Sequence, residues 1–174
     1  LVYHNYYSNK PLIEQEKEMP LNIVLFEPEI PQNTGNIART CAATGSNLHL
    51  IKPLGFSVTD KYLKRAGLDY WSLVNITYYE NFDEFKETIK DKRIFIATTK
   101  ESRFYTDVKY SEGCYILFGK ETAGLPDYIH SAFKENRIKI PMIDNEHARS
   151  LNLANSVNIV MYEALRQFGF PQMM

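Results

Sequence analysis

Cys114-Tyr-Ile-Leu-Phe-Gly-Lys-Glu-Thr-Ala-Gly-Leu-Pro126 is the stretch on which the reading of this chain turns. Cys114–Phe118 is an apolar run of strand length, as expected of a strand buried on both faces. Gly119 at its end allows close approach by a flat ligand, and Gly124 permits a tight return of the chain. The carboxylate of Glu121 lies between them. Pro126 suits the first turn of a helix reaching Phe133. Strand, glycine loop and helix in succession belong to a layered α/β fold, in which ligands bind beyond the carboxyl ends of the strands. On these residues alone an ordinary glycine turn is the competing reading.

The same alternation extends in both directions. Asn22–Phe26, Leu48–Ile51, Val74–Tyr79 and Arg93–Thr98 read as strands, with helices expected over Thr34–Thr44, Thr59–Ala66 and Phe82–Lys90. Downstream, Arg137–Ile140 is a strand stopped by Pro141. Ser150–Phe168 is the strongest helix, with Leu153, Val157, Val160, Met161, Ala164, Leu165 and Phe168 on one stripe and Gly169 and Pro171 ending it. The predicted fold is α/β, a mostly parallel sheet flanked by helices, in a single domain over residues 20–174. Residues 1–19 are polar and tyrosine-rich without the apolar core of a secretory signal, and read as a disordered or extraneous tail.

A chain of 174 residues has the size of one domain. Its formal net charge of −1 excludes a polycation, so any nucleic-acid contact must use a local basic surface. Lys61, Lys64 and Arg65 form one candidate patch and Lys134, Arg137 and Lys139 another, with Arg39 and Arg149 apart; each could equally be a solvated face. No apolar run approaches the roughly 18 residues of a membrane span, so a cytoplasmic protein without a membrane partner is expected. Cys41 and Cys114 sit in apolar segments and read as buried reduced thiols. The glycines never form Gly-x-Gly, which removes the dinucleotide fingerprint. Between Gly113 and Gly119-Lys120 the spacing is one residue too long for a phosphate loop, and Glu121 stands where Ser or Thr would hold magnesium. His4, His49, His130 and His147 lack the spacing of a zinc site, so no metal is expected.

Two further loops carry more polar residues than a connection needs. In Glu27–Arg39, two prolines stiffen the strand exit and Asn33, Thr34 or Gly35 can start the helix. Arg39 would then lie about one turn inside it. The N–H groups of such a helix start suit a phosphate, which Arg39 could grip with its fork. The competing reading is a capped helix with a surface arginine. In Ile140–Asn155, a proline-broken strand enters a polar loop and then a helix capped by Ser150. Asn152 and Asn155 near its first turn are either secondary caps or ligand contacts.

Asn33-Thr-Gly-Asn-Ile-Ala-Arg39, Phe118–Pro126 and Ser150-Leu-Asn-Leu-Ala-Asn155 resemble, in order and spacing, the three motifs of the SPOUT (α/β-knot) RNA methyltransferases. Within that superfamily the chain is similar to the minimal branch that methylates the ribose 2′-hydroxyl of the tRNA wobble nucleotide, cytidine or uridine. Leu25-Phe-Glu-Pro-Glu-Ile-Pro31 and Arg65-Ala-Gly-Leu-Asp-Tyr70 carry the likeness too, which spans Leu21 to Pro171. The resemblance implies a C-terminal trefoil knot, S-adenosylmethionine as cofactor with S-adenosylhomocysteine as product, a homodimer built on the first and last helices, and the tRNA anticodon stem-loop as substrate. Matched by position, Ala97, Gly119, Ile140, Met142, Ser150 and Leu151 would hold the cofactor. Arg39 matches the arginine assigned to catalysis. Asn33 and Asn152 are expected at the substrate, with Lys61, Lys64 and Arg65 on tRNA phosphates. A guanidinium keeps its proton at physiological pH, so Arg39 is expected to clamp the phosphate beside the reacting ribose rather than act as a base. Rival readings are a SPOUT enzyme acting on another tRNA or rRNA nucleotide, a non-catalytic RNA-binding protein, and an unrelated nucleotide-binding α/β protein.

Overall fold

The computed structural model describes residues 21–57, 70–101, 103–145, 150–171 and 173–174. The tail over 1–19, the helix expected over Thr59–Ala66 with Lys61, Lys64 and Arg65, and His147 and Arg149 lie outside the described residues. Among the described residues the strands are β1 (Leu21–Phe26), β2 (Asn47–Ile51), β3 (Ile76–Tyr79), β4 (Ile94–Ala97), β5 (Cys114–Phe118) and β6 (Arg137–Ile138). They form one sheet in the order β3-β2-β1-β5-β4-β6, with every pair parallel. The helices are α1 (Pro31–Thr44), α2 (Phe82–Thr88), α3 (Asp127–Ala132) and α4 (Leu153–Gln167).

Strand β1 explains the layering. All six of its residues are buried, because side chains alternate between the two faces of a sheet covered on both sides. Leu21, Ile23 and Leu25 pack with Ile37 and Cys41 of α1 and Val157 and Met161 of α4. Val24 and Phe26 face the other way, onto Phe82 and Phe85 of α2 and Ile129 of α3. Both cysteines are buried and free, and burial pushes the Cys114 thiol up to about 11, so these are inert thiols. No helix among the described residues is long and apolar enough to cross a membrane.

Three helix starts differ from the sequence expectation. Helix α1 begins at Pro31, three residues before Thr34, with Ile30 at its N-cap and no side-chain cap. Helix α4 is capped by Asn152 and not by Ser150: Asn152 Oδ1 accepts from the N–H groups of Ala154 at 2.9 Å and Asn155 at 3.4 Å. Pro126 is the N-cap of α3, not its first residue.

A buried polar ladder crosses β1, β2 and β3. Asn22 Oδ1 accepts from Asn47 Nδ2 at 2.8 Å and lies 3.1 Å from His49 Nε2, while His49 Nδ1 is 3.0 Å from the Tyr79 hydroxyl. Since the amide oxygen can only accept, His49 carries a proton on Nε2. Burial lowers its pKa to about 4. The unfolded chain therefore takes up this proton first, at about 6.5. The resulting stability is complete above that value and is lost as pH falls towards 4. Urea midpoints at pH 7 and pH 4.5 should show wild type losing roughly 2–3 kcal/mol more than His49→Gln. Equal losses in the two proteins would refute the assignment.

Candidate functional site

A cavity of about 480 Å³ opens beyond the carboxyl ends of β4 and β5, within the range of small-molecule sites. Five segments wall it: the entry to α1 (Ile30, Asn33), the exit of β4 (Ala97 to Lys100), the glycine loop (Phe118 to Leu125), the segment after β6 (Ile140, Met142) and the lead into α4 (Ser150 to Leu153). His130 and Ser156 complete it. The wall thus includes Ala97, Gly119, Ile140, Met142, Ser150 and Leu151, the positions expected from the resemblance. Aliphatic groups of Leu125, Ile140 and Leu153 share it with hydroxyl, amide and backbone groups. That mixture suits a ligand with a flat heterocycle and polar ends, which is the chemistry of S-adenosylmethionine. Among the described residues no cluster of His, Cys, Asp and Glu could hold a metal.

The glycine loop closes on itself for a reason the sequence reading did not contain. A Cβ on Gly119 would lie 2.2 Å from the Gly124 carbonyl carbon and 2.4 Å from the Leu125 nitrogen. The close approach that demands glycine is therefore made by the loop's own returning backbone, not by a ligand. Gly124 N–H donates to the Lys120 carbonyl at 2.9 Å, and Gly124 adopts φ +68°. The positive φ is the tight return the sequence predicts.

Glu121 then joins the three loops. Its carboxylate accepts from Glu29 N–H at 2.9 Å, Ile30 N–H at 3.2 Å and Asn33 Nδ2 at 2.9 Å. Asn33 Oδ1 in turn accepts from Asn152 Nδ2 at 2.9 Å, and Asn152 caps α4. Lys120 pairs with Glu27 at 2.9 Å, and the Thr122 hydroxyl donates to Glu29 Oε2 at 2.7 Å. The N–H groups at the entry to α1, expected to meet a phosphate, are met by this internal carboxylate. Asn33 and Asn152, expected at the substrate, line the cavity while holding its loops together.

Arg39 is not on the cavity wall. Because α1 starts at Pro31, Arg39 lies more than two turns inside the helix, about 12 Å along the axis from its start. The expectation of one turn, and of a phosphate shared with the helix N-terminus, is corrected accordingly. Its side chain is exposed, and the guanidinium carbon stacks 4.8 Å from the centroid of the Tyr70 ring.

His130 and Lys100 are among the wall residues that were missed. His130 on α3 was weighed only as a zinc ligand. Its Nδ1 is shut off from solvent without a partner. Burial lowers its pKa, as do the neighbouring charges of Lys100 and Arg137. Lys100, exposed at the cavity edge, was not considered. The available signal was position alone: both follow segments already placed at the carboxyl edge of the sheet.

The SpoU rRNA Methylase family matches residues 20–162 of the chain. The tRNA (cytidine(34)-2′-O)-methyltransferase of Escherichia coli strain K12 is 49% identical over 152 residues, covering 87% of this chain and 96% of that protein. A solved structure concerned with 2-OH methylation of C/U34 on tRNA superposes with a TM-score of 0.81 at 45% identity, covering 86% of this chain and 96% of that one. An AdoMet-bound rRNA methyltransferase from Sinorhizobium meliloti superposes with a TM-score of 0.76 at 25% identity, over 86% of this chain and 57% of that one.

Proposed function

Because the chain belongs to the SpoU rRNA Methylase family, we propose that it transfers a methyl group from S-adenosylmethionine to the ribose 2′-hydroxyl of the wobble nucleotide, cytidine or uridine, in the tRNA anticodon loop. The observation that carries this reading is the convergence of three separate loops, joined by Glu121, Asn33 and Asn152, on one cavity beyond the strand ends. The wobble position is supported by the near full-length likeness to the Escherichia coli enzyme.

Ala97, Gly119, Ile140, Met142, Ser150 and Leu151 would hold the cofactor. When bound, S-adenosylmethionine supplies a methyl already activated on a sulfonium. The chain's own task is then to align the ribose oxygen with that methyl and to exclude water, since alignment alone can contribute roughly 7–11 kcal/mol. The hydroxyl proton would leave to the RNA phosphate beside the reacting ribose or to a neighbouring side chain. Arg39 clamps that phosphate. S-adenosylhomocysteine would be the product that the same wall residues release. This reading includes the trefoil knot, a cytoplasmic setting and a homodimer through α1 and α4; dimerisation is the means of bringing Arg39, which is off its own chain's cavity wall, to a reaction centre.

The test is to incubate bulk tRNA with methyl-labelled S-adenosylmethionine and purified protein, then map the modified nucleotide by mass spectrometry. A single 2′-O-methyl group at the wobble nucleotide is expected. Label on a base, at another position or in rRNA would replace the substrate assignment, and no transfer at all would favour a non-catalytic RNA-binding protein.

A further inference from the structure

Beside the cavity, at the β6 edge of the sheet, the chain presents an aromatic ring that the cofactor site does not use. Phe104 is 39% exposed, yet its backbone is held on several sides. It bridges in parallel to Lys139. Tyr105 N–H donates to the Lys139 carbonyl at 2.9 Å, and Lys139 N–H to the Arg103 carbonyl at 3.0 Å. Phe104 N–H donates to Asp107 Oδ2 at 3.2 Å, and Asp107 N–H returns to the Phe104 carbonyl at 3.0 Å. An exposed ring on so fixed a backbone loses little entropy when something stacks on it.

Two cations flank it, alongside the Asp107 carboxylate that holds its N–H. Lys139 Nζ lies 5.8 Å from the ring centroid, and Arg103 is steadied by its guanidinium on the Glu135 carbonyl. Arg137, the other cation on this edge, is occupied by Glu101 at 2.9 Å. The segment that carries Lys139 runs directly into the cavity wall. Ile140 follows Lys139, and Lys100 precedes Arg103 by three residues, and both Ile140 and Lys100 line the cavity.

We propose that Phe104 is a stacking platform for an unpaired base of the substrate RNA loop, with Lys139 and Arg103 meeting the flanking phosphates. This rests on the methyltransferase reading above. A single-stranded loop offers unstacked bases, and aromatic side chains beside cations are how such bases are held. In a chain of net charge −1, phosphate attraction must come from local groups of this kind. Lys139, the bridge partner of Phe104, immediately precedes the wall residue Ile140, so a base stacked on the ring belongs to a nucleotide near the one entering the cavity.

Fluorescence anisotropy of a labelled anticodon stem-loop RNA tests this. Phe104→Ala should weaken RNA binding roughly tenfold, by the usual loss of one base–aromatic stack, and Phe104→Trp should restore it. Lys139→Ala should reduce the salt slope by about one, while Phe104→Ala leaves the slope unchanged. Calorimetric affinity for S-adenosylmethionine should stay within about twofold in all three. Wild-type RNA affinity in Phe104→Ala, or no recovery in Phe104→Trp, overturns the platform alone when the wild-type protein still methylates the stem-loop. A wild-type protein that neither binds nor methylates it overturns the platform together with the function.

Discussion

Gly119→Val is expected to abolish cofactor binding and to destabilise the fold at once. The added Cβ would fall 2.2 Å from the Gly124 carbonyl carbon and 2.4 Å from the Leu125 nitrogen. Both are backbone atoms, so no change of rotamer relieves the contact and the loop must open. Opening it breaks the Gly124-to-Lys120 hydrogen bond. It also draws Glu121 away from the three donors of Glu29, Ile30 and Asn33. Overpacking of this kind costs about 3 kcal/mol or more where the backbone cannot yield. Because even a methyl group meets the same atoms, Gly119→Ala should show most of the effect. Gly124→Ala is the control. Nothing lies within 4 Å of its added Cβ, and only the positive φ is strained, at about 1–2 kcal/mol. That variant should lose no more stability than this. Urea unfolding and calorimetry with S-adenosylmethionine decide the matter. A Gly119→Ala protein with wild-type stability and affinity would show that the loop is not closed as described.

The same loop shows where sequence reading succeeds and where it stops. Strands β1, β2, β4 and β5 were legible because a parallel sheet covered on both faces needs nearly continuous apolar runs, and Leu21–Phe26 and Cys114–Phe118 are such runs. The glycines at 119 and 124 were legible as a loop with a tight return. What could not be read was the partner of each residue across the fold. Helix α1 was expected to start at a polar cap, yet it starts at Pro31 behind Ile30, because a carboxylate some 90 residues away serves its entry. Ser150 and Asn152 are both good capping residues by type. Asn152 is the cap in a structure where Asn33 also holds its amide. Local propensity cannot choose between two such residues when a distant hydrogen bond does. His130 was hidden for a similar reason: a histidine on a short helix gains meaning only from the cavity it faces.

Turnover, and not cofactor affinity, is expected to collapse in Arg39→Ala. Arg39 does not line its own chain's cavity, and its guanidinium rests over Tyr70 at 4.8 Å. Removing it leaves the Glu121–Asn33–Asn152 ties and the cofactor wall untouched, so calorimetric affinity for S-adenosylmethionine should change less than about twofold, well under the 1.4 kcal/mol of a tenfold change. In the role proposed for Arg39, what is lost is the clamp on a phosphate beside the reacting ribose. Misplacement of a reacting group by about 1 Å can cost on the order of 10²-fold in rate. A fall of at least that size is expected in single-turnover methylation of the stem-loop. Arg39→Lys keeps the charge but cannot reproduce the planar fork or its stacking on Tyr70. It should recover less than about a tenth of the lost rate, whereas a charge effect alone would recover most of it. If Arg39→Ala instead lost affinity and turnover in the same proportion, Arg39 would belong to the cofactor site and the phosphate clamp would have to be assigned elsewhere.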